Sequence, residues 1–371
     1  MAMTMAAASL CTTPPTPAPT PPPTLDQGAP KPPIKTIVMD PEGDLSVVVH
    51  GAAAPYAAQD FLVHSRVLAL ASPMFAIMFG PHFREGGALR GRTASSRPCR
   101  IELHEDDPYA MDLLFRVLHH RVADMPLRLE PAALAALAVQ ADKYDCKVVF
   151  RPWALQWCCI PEGATQREIG EVLLAAYLLE APGLEGVALQ AARLLRPSFV
   201  SAWEDSHIVD FMPDAAIDWL ADRIDDELDG VRESIQTTVV HLQAEKEVFD
   251  TPAVVCPACR YSTDHPWANM RCLKCSCRYE RQQCTADVRV DAYLALLRAC
   301  ELEGGTAAAA DACLEDAVRR VARLAAELRH KCFADACPLA GAVAELEALV
   351  RRRVDGLLRA SVDTGVVFRR G

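Results

Sequence analysis

Two closely spaced pairs of cysteines constrain this chain more than any other feature of its sequence. Cys256 and Cys259 form the first pair, Cys272 and Cys275 form the second, and twelve residues separate the pairs. A tight Cys-x-x-Cys turn directs two thiolates at one point, so two such turns suit a tetrahedral zinc ion at about 2.3 Å from each sulfur. We therefore predict a structural zinc site bound by these four cysteines.

Other interpretations of the cysteine-rich segment stay open at this point. Further ligands are available nearby and later in the chain, namely His265, Cys277, Cys284, His330 and Cys332. A redox-active Cys-x-x-Cys is the rival chemistry, but that motif normally opens a helix in a βαβ unit, which the sequence does not predict here. Thiols without any ligand are the third interpretation.

The cysteine content also bears on the compartment in which the protein works. The chain has 371 residues and fifteen cysteines, an odd number that cannot pair completely within one chain. Residues 1–10 are apolar but lack the basic start of a secretory signal, and no apolar run approaches the roughly 20 residues that a bilayer span needs. We expect a cytoplasmic or nuclear protein with reduced thiols and no membrane association.

The charge balance limits the kinds of partner. The chain has 38 basic and 49 acidic residues, a net charge of −11, whereas non-specific polyanion binders need an excess of basic side chains. Residues 256–284 have a net charge of +3 before metal binding, and four thiolates around one divalent ion reduce it to about +1. Nucleic-acid binding by this segment is therefore only the alternative function.

A proline-rich tail precedes the folded part of the chain. Ten of the 27 prolines lie between Pro14 and Pro33, a density that favours extended polyproline II over packed structure. We predict that residues 1–35 are disordered. The remaining chain is predicted to divide into an α+β domain at 36–157, a helical region at 158–250, a cysteine-rich zinc module at 251–285 and a helical region at 286–371.

The α+β assignment depends on short strands that alternate with helices. Ser72, Asp107 and Glu130 each precede a proline, an arrangement typical of a cap followed by the first helical residue. The predicted elements are strands at 45–49, 60–63 and 100–103 and helices that begin at Pro73, Pro108 and Pro131. This order predicts one self-contained α+β domain, and a capping box at Thr165–Glu168 begins the mostly helical remainder.

Six motifs of this region, in this order, resemble the BTB/POZ domain. They are Asp44–Val49, Phe61–Leu68, Ser72–Phe75, Phe83–Glu85, Ile101–Leu103 and Ala141–Asp145. The segments Leu118–Pro126 and Arg151–Ala154 are most similar to fungal BTB proteins. The resemblance covers about 110 residues. The second half is a looser match to the same group, carried by Cys284, His330–Cys332 and Val354–Leu357.

The resemblance implies a protein–protein interaction module rather than an enzyme. BTB adaptors of cullin-type ubiquitin ligases carry a hydrophobic-x-Glu element, which Phe83 and Glu85 match. We therefore expect these two residues to bind a cullin, with the helical half selecting the client protein, although the loop 86–99 is longer than in the usual adaptors. A homodimer is a further expectation of the resemblance. The alternative is a transcription-associated BTB protein whose cysteine module contacts nucleic acid.

Overall fold

The buried strand Leu45–Val49 organises the first sheet. The computed structural model describes residues 36–51, 58–91, 97–204, 206–263, 271–272, 274–303, 311–330, 332 and 337–369. The predicted tail at 1–35, the candidate ligand His265 and part of the loop 86–99 lie outside these residues.

The first four strands are β1 (Thr36–Val38), β2 (Leu45–Val49), β3 (Gln59–Val63) and β4 (Cys99–Leu103).

These strands form one sheet in the order β1-β3-β2-β4. Strands β2 and β3 are antiparallel, with Val47 opposite Phe61, and β4 lies parallel to β2 on the other side. β2 is central, which explains why Leu45, Val47 and Val49 are fully buried. The short strand β1 pairs in parallel with β3 and was not expected from the sequence.

The three helices predicted for this region begin at Pro73, Pro108 and Pro131, as expected from the sequence. Ser72 Oγ accepts the N–H of Phe75, and an Asp107 carboxylate oxygen accepts the N–H of Ala110 at 2.7 Å. The helices are α1 (Ser65–Ala71), α2 (Pro73–Met78), α3 (Arg84–Arg90), α4 (Pro108–Leu118), α5 (Pro131–Lys143) and α6 (Arg151–Trp157). Phe61 packs edge-on against Phe115 of α4, so the sheet and this helix share one core.

The next helices extend that core rather than starting a separate one. They are α7 (Gln166–Leu178), α8 (Leu184–Leu194), α9 (Phe199–Trp203), α10 (Ile208–Phe211) and α11 (Asp214–Ala244). Thr165 and Glu168 form the predicted capping box of α7. Helix α7 is almost entirely buried and packs extensively against α5, across the predicted domain boundary at 157.

A second, smaller sheet follows α11. Its strands β5 (Phe249–Val255), β6 (Ser262–Thr263) and β7 (Glu280–Cys284) are antiparallel, in the order β6-β5-β7. The last helices are α12 (Ala286–Ala299), α13 (Leu314–Glu327), α14 (Pro338–Leu358) and α15 (Thr364–Val367). Helix α11 packs against α12, α13 and α14. The fold is therefore mixed α+β and mostly helical, as predicted.

Candidate metal centre

The first cysteine turn follows directly from β5. The N–H of Cys256 donates to the carbonyl of Tyr261 at 2.9 Å, and the N–H of Arg260 donates to the carbonyl of Cys256 at 2.8 Å. Arg260 has a φ of 58°, in the left-handed region, which allows the chain to reverse within this short segment. The result is a closed turn that holds Cys256 and Cys259 side by side.

The second turn has the same backbone design. The N–H of Cys272 donates to the carbonyl of Cys277, and the N–H of Ser276 donates to the carbonyl of Cys272, both at 2.8 Å. Ser276 has a φ of 62°. In each turn, therefore, the fourth residue after the first cysteine is left-handed and the fifth accepts the closing hydrogen bond.

The two turns bring all four predicted ligands together. Sulfur–sulfur distances are 3.1 Å for Cys256 and Cys275, 3.4 Å for Cys259 and Cys272, and 3.6 Å for Cys259 and Cys275. The four sulfurs lie within 4.8 Å of one another, and all four thiols are free. Sulfurs around a tetrahedral zinc ion are about 3.8 Å apart, whereas a disulfide is about 2.05 Å long. The geometry is therefore compatible with zinc binding.

Backbone N–H groups lower the pKa of the first thiol in each pair. The N–H of Cys259 lowers the pKa of the Cys256 thiol. Burial opposes ionisation of Cys272, but the N–H groups of Lys274 and Cys275 outweigh it and lower its pKa to about 6. A backbone N–H also acts on each of Cys259 and Cys275, but hydrogen bonds with the neighbouring thiols outweigh it and raise the pKa of both. Each turn by itself therefore favours one thiolate, and a bound metal ion would stabilise the other two.

One side of the cluster faces solvent. Cys256 and Cys272 are buried, whereas Cys259 and Cys275 are exposed. The Lys274 ammonium lies 4.8 Å from the ring centre of Tyr261, next to the cluster. A site with this partial exposure can keep a negative charge in contact with water.

The other candidate ligands do not complete this site. Cys277 belongs to no metal-ligand group within the described residues. Cys284, His330 and Cys332, considered in the sequence as additional ligands of the same ion, form a separate cluster instead. Cys337 joins them and was missed, although the spacing His-x-Cys-x4-Cys in residues 330–337 could have indicated it.

The predicted partner-binding residues lie at the start of α3. Phe83 is the residue before the helix and its side chain is 47% exposed, while Glu85 is in the first turn. Gly86 is buried against the end of α2, and a Cβ there would lie 2.0 Å from the carbonyl oxygen of Gly80. This close approach fixes the position from which Phe83 projects.

Cys146, Cys158 and Cys159, which belong to neither cluster, differ in burial. Cys146 and Cys158 are buried, as expected for core thiols. Burial raises the pKa of each to about 12, so both stay protonated and unreactive. Cys159, by contrast, is exposed, two positions after the end of α6.

Comparisons with known proteins give no family assignment. The chain matches no protein-family model and no curated protein sequence. Within the described ranges, no helix combines the length and apolar character needed to cross a bilayer.

Proposed function

We propose that this protein is a non-enzymatic interaction protein with a BTB/POZ-like region at 36–157 and a zinc-stabilised cysteine module. The observation that carries the proposal is the exposure of large apolar side chains along α1, α2 and the start of α3. Leu70, Ile77 and Phe83 are 79%, 54% and 47% exposed. These three side chains are exposed within a short stretch of the sequence, and exposed large apolar groups are candidates for protein-binding contacts.

The order of the elements supports the BTB-like part of the proposal. An antiparallel β2–β3 hairpin leads into a helical pair, α1 and α2. The chain then passes through α3 and returns as β4, which pairs in parallel with β2. Helices α4 and α5 complete the unit. The six motifs of the resemblance lie on these elements in the same order.

The start of α3 is the proposed contact with a cullin. Phe83 is half exposed at a position held by the packing of Gly86, so its ring is available to enter an apolar cleft between a cullin's first helices. Glu85, in the first turn of the helix, would orient the contact by accepting hydrogen bonds. The protein would then be a substrate adaptor of a ubiquitin ligase.

In the cysteine module, zinc would have a structural role. When bound, the ion supplies four strong bonds to sulfur, which replace an apolar core in a segment that has little of one. Cys256, Cys259, Cys272 and Cys275 would hold it, and their turns already place the thiols in one group. The module would thereby present a rigid surface beside the helices.

The adaptor proposal is tested with Phe83→Ala combined with Glu85→Ala in the full chain. We expect co-purification with a cullin to fall at least thirtyfold, because a buried aromatic anchor typically contributes more than about 2 kcal/mol to binding. Leu155→Ala is the matched control, since Leu155 is 62% exposed on α6, away from the proposed contact.

The melting temperature separates a binding defect from a folding defect. Both variants should melt within a few degrees of the wild type, because the replaced side chains are exposed or half-buried. Equal cullin recovery with the wild type and the double variant, or no recovery with either, would show that the chain is not a cullin adaptor. A lower melting temperature for the double variant alone would mean that the pair is structural.

A further inference from the structure

Four side chains from two separate segments meet at the opposite end of the small sheet from the first cysteine cluster. Cys284 ends β7, where it pairs with Phe249 of β5. His330 and Cys332 follow α13, and Cys337 is the residue before α14. Their potential ligand atoms all lie within 4.8 Å of one another.

The distances within this group suit one tetrahedral ion. Cys284 Sγ lies 3.3 Å from His330 Nε2 and 3.9 Å from Cys337 Sγ, and His330 Nε2 lies 2.9 Å from Cys332 Sγ. A zinc ion with three sulfur ligands and one nitrogen ligand separates its ligand atoms by about 3.5–3.8 Å. The three cysteines are free thiols, so a disulfide does not account for the cluster.

A buried cation beside the cluster gives an independent reason to expect a negatively charged group there. Arg289 of α12 is fully buried. Its guanidinium donates to the carbonyls of Glu245, Glu247 and Cys284, at 2.6, 2.9 and 3.0 Å. It also lies 3.8 Å from Cys284 Sγ. Among the described residues, no carboxylate pairs with Arg289.

The charge of an occupied site would match this cation. A buried guanidinium without a counter-charge is strongly unfavourable. Three thiolates, a neutral imidazole and one divalent zinc ion have a net charge of −1, which offsets the single positive charge of Arg289. Three protonated thiols would leave that charge uncompensated.

We propose that Cys284, His330, Cys332 and Cys337 bind a second structural zinc ion, with Arg289 as its buried counter-charge. This ion would tie the end of β7 to the segment that joins α13 and α14. The small sheet would then have a zinc ion at each end, one formed by two local turns and one that anchors the sheet to the C-terminal helices. The second site does not depend on the proposed cullin contact or on occupancy of the first site.

The first test uses the unmodified full-length protein, purified under reducing conditions with zinc. Metal analysis should give about two zinc ions per chain. X-ray absorption should give an average of about 3.5 sulfur and 0.5 nitrogen ligands per zinc, with the outer-shell scattering of an imidazole. One zinc ion with four sulfur ligands would overturn the proposal while leaving the first site intact.

Paired substitutions assign each ion to its cluster. Cys332→Ser with Cys337→Ser should leave about one metal ion, and Co²⁺ bound in its place should show the absorption of four thiolates. Cys259→Ser with Cys272→Ser should also leave about one, with the spectrum of three thiolates and one nitrogen.

Cys277→Ser is the matched control, because Cys277 is half-buried in the same segment but belongs to neither cluster, and it should retain both ions. Unchanged metal content in the Cys332/Cys337 variant would refute the second site. If that variant does not fold, the ligand average of the unmodified protein still decides the question.

Discussion

The two cysteine clusters reach similar geometry from opposite kinds of sequence. In the first, Cys256 and Cys275 are separated by 19 positions, and two turns of the same design supply every ligand. In the second, Cys284 and Cys337 are 53 positions apart and belong to different elements. Closing the longer loop restricts the unfolded chain more, by about 1 kcal/mol on chain-entropy grounds. A cluster whose ligands are close together in the sequence thus stabilises local turns, whereas a cluster whose ligands are far apart connects separate elements of the fold.

The two clusters also differ in their contact with water and with nearby charges. The first is partly exposed, so water and the nearby Lys274 can stabilise the charge of −2 that four thiolates give around zinc. The second lies against Arg289, which is fully buried and has no access to water. With zinc bound at both clusters as proposed, a counter-charge would be optional at the first cluster and required at the second.

Removal of both ions should have the largest effect. Structural zinc contributes about 10–16 kcal/mol of apparent binding free energy in small zinc-dependent folds, so a strong chelator should unfold β5–β7 and expose their amides to exchange. Hydrogen exchange measured by mass spectrometry should show this loss in residues 249–284. Helix α7 and the first sheet should stay protected, because their core includes none of Cys256, Cys259, Cys272, Cys275 and Cys284.

The cluster variants sharpen that result. Loss of the first site alone should release protection around the two turns, and loss of the second alone should release the end of β7 and the start of α14. Identical exchange patterns in the two variants would mean that the clusters form one cooperative unit and that the contrast between them is wrong.

Arg289→Met should have the next largest effect. It removes the counter-charge and leaves the carbonyls of Glu245, Glu247 and Cys284 without this donor, at about 1–3 kcal/mol for each unsatisfied group. We expect a lower melting temperature and weaker zinc retention at the second site only, measured by competition with a chromophoric chelator. Arg298→Met on the same helix is the control, since Arg298 is exposed and pairs with Glu303. Equal loss of zinc from both sites would contradict the assigned role.

The contrast also explains which features could be predicted from the sequence. The helix N-caps at Ser72, Asp107 and Thr165 each require only a hydrogen bond from the backbone N–H three positions later in the sequence. The structure confirms all three caps. The ligands of the first cluster could be predicted for the same reason, because their spacing alone brings them together. Cys337 was harder to assign, although it lies five positions after Cys332, because Cys284 of the same group comes from β7, 53 positions away.

The strands of the small sheet were missed for a related reason. β5 contains Pro252, which is unusual inside a strand, and β7 reads Glu-Arg-Gln-Gln-Cys without apolar alternation. Neither segment shows the periodicity of a half-buried strand. The paired strands β5 and β7 adjoin the first cysteine turn at one end and include Cys284 at the other. The role of Phe83 and Glu85 stays a prediction, because it depends on a partner.

Thiol reactivity should distinguish the clusters by a smaller, kinetic difference. The first cluster has two exposed thiols, Cys259 and Cys275, whereas the second has none: Cys284 is buried, and Cys332 and Cys337 are half-buried. An alkylating reagent should therefore modify the first cluster several-fold faster, and zinc release followed with a metal-sensitive dye should be biphasic. Mass spectrometry of the quenched reaction identifies the modified residues. A single phase with both clusters modified at one rate would remove this distinction.

The smallest expected effect concerns the residues with left-handed backbone conformation in the two turns of the first cluster. Ser276 has a φ of 62°, and a side chain in this conformation costs roughly 1–2 kcal/mol relative to glycine. Glycine increases the freedom of the unfolded chain, which offsets about 0.5–1 kcal/mol of that gain. Ser276→Gly should therefore stabilise the first cluster by about 0.5–1 kcal/mol, seen as tighter zinc retention at that site and no change at the second. Ala258→Gly is the control, because Ala258 is exposed in the equivalent first turn without a positive φ, and it should lose a few tenths of a kcal/mol. Weaker retention in Ser276→Gly would mean that the turn is held by the metal alone and that its backbone conformation contributes no strain.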